Sequence, residues 1–207
     1  SPGQGLAIGF GWEGRKTLWH AGAEALRASE ALANLIRLIR HLRPGAPVDI
    51  IAHSLGGRVA LGALHRLSAG DIGRMILLAG AEFRCRAARA MDTEAGKSAE
   101  VFNITSREND PFDLMVELVL GGGSGRTLGQ GLGQPRGNWL DIQIDDPASL
   151  SALRHLGFRV APPAVLVCHW SPYLRPGLFP LYRALFHDRA AWPLPMLAAA
   201  LPGLTRR

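Results

Sequence analysis

The stretch Val48-Asp49-Ile50-Ile51-Ala52-His53-Ser54-Leu55-Gly56-Gly57 constrains this chain more than any other. A β-branched run stops at a His-Ser-Leu-Gly turn, and beyond it Ala60, Ala63, Leu64 and Leu67 recur at helical spacing. The order is therefore strand, tight turn, helix, with Ser54 in the turn. Ala52 and Gly56, two positions before and after the serine, are small enough to let strand and helix approach closely. Ser54 has a plainer alternative use as the N-cap of the following helix.

The pattern repeats along the chain. Gly5–Phe10 is predicted as a short buried strand ending in the turn Gly11-Trp12-Glu13-Gly14. A helix is predicted from Trp19 to Arg43, with Leu32, Leu35, Ile36, Ile39 and Leu42 on its apolar stripe, and Pro44-Gly45 ends it. Strands at 74–79 and 100–106 alternate with helices at 81–91 and 111–120, and the continuous apolar character of the strands predicts a parallel sheet covered on both faces. The glycine-dense segment 121–138 is predicted as a mobile surface loop near the cleft. A half-buried edge strand at 139–145 and a short helix at 147–156 follow, then an apolar run from Val165 that ends at His169, and an amphipathic helix over 177–186 closes the pattern.

Ala52-His53-Ser54-Leu55-Gly56 matches the nucleophile elbow G-x-S-x-G with alanine for the first glycine. Here the chain resembles the α/β-hydrolase superfamily, specifically its serine esterase and lipase-like members, over about residues 5–186. The resemblance implies an α/β fold with a mostly parallel sheet flanked by helices, in one domain over 1–207. It implies cleavage of a carboxylic ester through an acyl-enzyme on Ser54, with no cofactor or metal. A thioesterase or acyltransferase on the same triad, or a binding module that keeps the fold without the chemistry, are its alternatives.

A serine hydroxyl needs a base within hydrogen-bond reach and a third group to orient that base. The superfamily order is serine, acid, histidine. Asp110 follows the 100–106 strand at the sheet edge where such folds hold their sites, although Asp before Pro is also a good helix cap. Asp113 and Glu108 are the fallback acids, and Asp141 to Asp146 come one strand too late. Of seven histidines, His169 alone follows the acid and precedes a loop, Trp170-Ser171-Pro172. His155 and His187 are expected on helix surfaces, His20, His41 and His65 within helices, and His53 in a core hydrogen bond. The oxyanion hole takes its first N–H from Leu55. The resemblance places the usual second donor and the first strands of the sheet upstream of Ser1, with Trp12 lining the cleft; the alternative is a minimal sheet whose donor is the N–H of Gly11 or Trp12. An exposed apolar sheet edge at the first strand and poor activity alone are expected in the first case. Phe112, Leu114, Met115 and Leu118 beside the acid either line an acyl pocket or form a buried helix face.

Competing signals are weaker. Gly9-Phe10-Gly11-Trp12-Glu13-Gly14 fits a dinucleotide fingerprint, but Trp12 crowds the turn and the next strand ends in Ala52-His53-Ser54 instead of a ribose-binding carboxylate. The 121–127 glycines lack the lysine and the preceding strand of a phosphate loop. The net charge of +6 and pI near 10.3 raise nucleic acid as a partner. Yet the arginine groups at 37, 40, 43 and at 84, 86, 89 have no interleaved aromatics and read as solvated faces, so the partner expected is a small-molecule or lipid ester and no nucleic acid. No apolar run is long enough for a membrane span, and a cytoplasmic location is expected. Cys85 and Cys168 are read as small core residues.

Overall fold

The structure, a computed structural model, describes residues 5–14, 17–121 and 125–204; residues 1–4, 15–16 (with Lys16), 122–124 of the glycine-dense segment and 205–207 lie outside the described residues. Helix α1 (Leu18–Leu42) starts at Thr17, whose side chain accepts the His20 N–H at 3.3 Å. Its buried face is made of small residues, Ala21, Ala25, Ala28, Ser29 and Ala33, followed by Ile36. That face brings α1 against α2 (Leu55–Ala63). Leu42, expected on the apolar stripe, is exposed, because the 25-residue α1 outruns the nine-residue helix it packs on.

Strands β1 (Val48–His53), β2 (Ile72–Leu78), β3 (Glu100–Thr105) and β4 (Trp139–Gln143) form a parallel sheet in the order β1-β2-β3-β4. Between β2 and β3 run α3 (Arg84–Met91) and α4 (Glu94–Ser98), and α5 (Asp110–Gly121) follows β3. After β4 come α6 (Pro147–His155), α7 (Ser171–Leu174), α8 (Leu178–His187) and α9 (Leu194–Ala200). Successive strand residues point to opposite faces. Met75, Leu77 and Val101 therefore join Ala60, Leu61, Ala87 and Met91 in one core, while Ile76, Leu78, Phe102 and Ile104 join Leu153, Leu181 and Leu197 in the other. Two covered faces are why these strands read as unbroken apolar runs. At the β1 edge the cover is incomplete, and Ile51 is 47% exposed.

Three expectations are corrected. Gly5–Phe10 forms no strand; Leu6 and Ile8 are exposed, and Phe10 and Trp12 rest on Ala25, Ala28 and Val59. A segment punctuated by glycines offers a ladder little to pack, so two aromatic rings anchor it instead. The dinucleotide fingerprint thereby loses its strand. The glycine-dense segment is not a plain surface loop: Thr127, Leu128 and Leu132 are buried, and Leu128–Gln130 form a 3-10 turn. Polar side chains of the sheet hold it down, with Asn103 Nδ2 donating to Leu128 O at 2.9 Å and Asp141 Oδ2 accepting the Leu132 N–H at 3.2 Å. Gly131, at φ +76°, lies so close to that carboxylate that a Cβ would stand 2.6 Å from Asp141 Oδ2. The apolar run Val165–Val167 is exposed, and the N–H of Cys168 after it donates to Glu108 O at 2.9 Å. Cys85 is exposed on α3 and Cys168 half-buried, so neither is a core residue.

Candidate functional site

Ser54 sits at φ 53° and ψ −126°, a region that costs a non-glycine residue about 1–3 kcal/mol. Its N–H donates to Leu78 O at 3.0 Å, and its carbonyl accepts the N–H groups of Gly57 and Ala81, both at 2.9 Å. These bonds from β2 and the loop after it hold the strain in place. The side chain makes no capping bond to α2, which removes the N-cap alternative. A Cβ on Gly56 would meet Ala52 Cβ at 3.8 Å, an ordinary contact, so alanine at the first small position fits. The tight approach is one residue later, where a Cβ on Gly57 would stand 3.2 Å from Gly80 Cα. Leu55 opens α2, and N–H groups of a first helical turn have no acceptor within their helix.

The histidine loop reaches this turn through His53. His53 Nε2 donates to the carbonyl of His169 at 3.1 Å, the two rings lie 4.5 Å apart, and His53 also stacks on Trp170 at 5.0 Å. Its hydrogen-bonding role is thus with the histidine loop and half-buried, where the sequence had it in the core. Phe112 also packs on the His169 ring, with the centroids 4.7 Å apart.

Across 60 residues, Asn109 Oδ1 accepts from His169 Nδ1 at 2.6 Å. An amide oxygen only accepts, so the proton of the neutral ring is on Nδ1 and Nε2 keeps its lone pair. Sequence reasoning missed Asn109 as the bonded neighbour because it looked for an acid; Asp110, the residue it favoured, is the next in the chain, half-buried at the start of α5. Asp110 has helical dihedrals, φ −48° and ψ −42°, and Ser106 caps this turn by accepting the Glu108 N–H at 3.3 Å. Asn109 Nδ2 in turn donates to Asp113 Oδ2 at 3.0 Å. Of the fallback acids, Asp113 therefore stands behind the amide, while Glu108 is buried in a pair with Arg175. Asp141 belongs to the buried anchor of the 125–138 segment, bonded to Asn103 and Trp139 at 2.8 Å each.

Burial, and after it repulsion from His53, hold the His169 pKa down at about 4. The His53 ring is also pushed down by burial, against the bond to the His169 carbonyl. Asp113 moves the other way: burial raises its pKa to about 7 despite hydrogen bonds from Asn109 and Thr127, with Asp110 and Glu117 adding repulsion. Helix α5 carries its acids Asp113 and Glu117 inward and exposes Leu114, Met115 and Leu118, so the buried-face explanation of those three does not hold. Trp12 lies on the seam of α1 and α2, beside Val59. His155 and His187 are exposed on α6 and α8. Among the described residues, no three His, Cys, Asp or Glu side chains are grouped to hold a metal ion, and no helix is long and apolar enough to cross a membrane.

Residues 3–104 match the model of a family described as Alpha/beta hydrolase of unknown function (DUF900). The match spans the serine turn and ends before Asn109, Asp110 and His169. Nothing among curated proteins or solved structures matches the chain. Sequence match and sheet architecture agree, and the chain is a member of the α/β-hydrolase superfamily.

Proposed function

We propose that the protein is a serine hydrolase that cleaves a carboxylic ester through an acyl-enzyme on Ser54. The observation that carries this is the strained, uncapped Ser54 turn with His169 tied to the residue beside it. Ser54 Oγ attacks the ester carbonyl, His169 Nε2 takes the hydroxyl proton and returns it to the leaving alcohol, and water then repeats the cycle on the acyl-enzyme. The Leu55 N–H faces the developing oxyanion at the N-terminus of α2. The third role falls to the 107–110 turn, with Asn109 in contact with the imidazole and Asp110, next in the chain, as the acid favoured by chain order. Trp12, the second oxyanion donor in the minimal-sheet case, lacks the strand end that was to deliver its N–H. Phe112 against the imidazole and the exposed Leu114, Met115 and Leu118 on the same helix favour an apolar acyl group.

A fluorophosphonate probe and p-nitrophenyl esters of increasing acyl length test the proposal. Stoichiometric labelling of Ser54 that heat denaturation abolishes, hydrolysis lost in Ser54→Ala, and loss of several powers of ten in His169→Ala are expected. A folded protein that stays unlabelled would favour the non-catalytic binding module. Asn109→Ala and Asp110→Asn, assayed side by side, assign the third role to whichever variant loses more kcat.

A further inference from the structure

An asparagine beside a catalytic imidazole has a defect that an aspartate does not. A carboxylate presents oxygen in either orientation, whereas an amide turned by 180° presents NH₂. The imidazole must then accept at Nδ1 and carry its proton on Nε2, the nitrogen that has to receive the serine proton. An asparagine works here only if something fixes which way it faces.

We infer that Asp113 is a positioning residue for the hydrolase reaction, its carboxylate holding the Asn109 amide so that Oδ1 faces His169 and the imidazole keeps its proton on Nδ1. The inference rests on the roles proposed above for Ser54 and His169. Its geometry is a short relay, His169 Nδ1 to Asn109 Oδ1 at 2.6 Å and Asn109 Nδ2 to Asp113 Oδ2 at 3.0 Å, with Asn109 and Asp113 both buried. Above about pH 7, where Asp113 is ionised and can only accept, turning the amide over would set its oxygen against the carboxylate. Asp113 itself has little freedom to follow such a turn. It projects from the inward face of α5 onto the 3-10 turn Leu128–Gln130, and a Cβ on Gly129 would overlap Asp113 Oδ2 at 1.9 Å. The glycine at 129 therefore leaves the space that the carboxylate fills. A buried acid is costly unless hydrogen bonds hold it. The Asn109 amide supplies one.

The test compares, at about pH 8.5, the wild-type chain with Asp113→Leu, which keeps the branching at Cγ and removes the acceptor, and with the double variant Asn109→Asp/Asp113→Leu. Imidazole ¹⁵N NMR of His169 reads the tautomer directly, and the rate of fluorophosphonate labelling at Ser54 reads the chemistry. The wild type is expected to carry the proton on Nδ1. Asp113→Leu should shift population to the Nε2–H form and slow labelling by about tenfold to a hundredfold, the range of one hydrogen bond involving a charged group, with probe affinity unchanged. The double variant should restore both signals, since a carboxylate at 109 has no wrong face. If Asp113→Leu retains the Nδ1–H tautomer and labels within twofold of wild type, the inference is overturned. If wild-type Ser54 never labels, the proposed hydrolase fails, and the NMR comparison still decides the role of Asp113.

Discussion

Arg175 tests how the histidine loop is held. Its guanidinium is buried and donates to Glu108 Oε2, to the carbonyl of Ile144 just past β4, and to Ser171 Oγ at 3.5 Å. Glu108 belongs to the same turn as Asn109, accepts from Ser106 Oγ at 2.8 Å, and takes the Cys168 N–H on its backbone carbonyl. One side chain thus joins the turn that contacts the imidazole, the helix after it, and the end of the sheet. Arg175→Met leaves the Glu108 carboxylate buried without its guanidinium, Ser106 Oγ still donating to it. Breaking a buried pair in this way costs about 3–5 kcal/mol. For a chain of this length that lowers Tm by roughly 10 °C. Removing the charge as well, in Arg175→Met/Glu108→Gln, should return most of the loss, because the unpaired buried charge dominates it. Urea melts of the four proteins in the cycle measure the coupling, and ester turnover follows the loop, falling in the single variant because His169 lies on the displaced segment. A single-variant cost under about 1 kcal/mol, or strictly additive losses, would refute the idea that this pair ties the loop to the turn.

Asp113 and His169 predict opposed pH effects on stability. The folded Asp113 holds its proton up to about pH 7 while the unfolded one releases it near 3.8, so its contribution is complete below pH 3.8 and is lost as pH rises to 7. Relative to wild type, Asp113→Asn should therefore gain about 1.4 kcal/mol per pH unit across that window in urea melts, and a difference independent of pH would contradict it. His169, neutral in the fold down to about pH 4, contributes stability above pH 6.5 that is lost as pH falls from 6.5 to 4; His169→Ala should remove that limb. Ser54→Gly should be inactive yet more stable by about 1 kcal/mol, since glycine enters φ 53° without strain; thermal melts that show no gain would mean the turn is unstrained.

The sequence by itself determined the parts that local chemistry controls. The alternation of β-branched strands with helical periodicity, and small residues around Ser54, are set by backbone geometry within a dozen residues. They were sufficient for a parallel α/β sheet and its serine turn. What depended on distant partners was decided only in three dimensions. Asn109 meets His169 across 60 residues, and its amide donates to Asp113, which the sequence offered only as a fallback acid. Helix α5 has an apolar stripe that the sequence offers to the core, yet Asp113 and Glu117 turn inward because Asn109, Thr127 and the 125–138 backbone need acceptors there. That same segment reads as a surface loop by its glycines, yet its Thr127, Leu128 and Leu132 are buried because Asn103 and Asp141, inside apparently ordinary strands, satisfy its backbone. Gly5–Phe10 has the composition of a strand end but finds no ladder, and only Phe10 and Trp12 find a surface, on α1 and α2. Periodicity specifies which face of an element is apolar; whether that face is buried depends on which unsatisfied polar groups and open surfaces the rest of the chain presents to it.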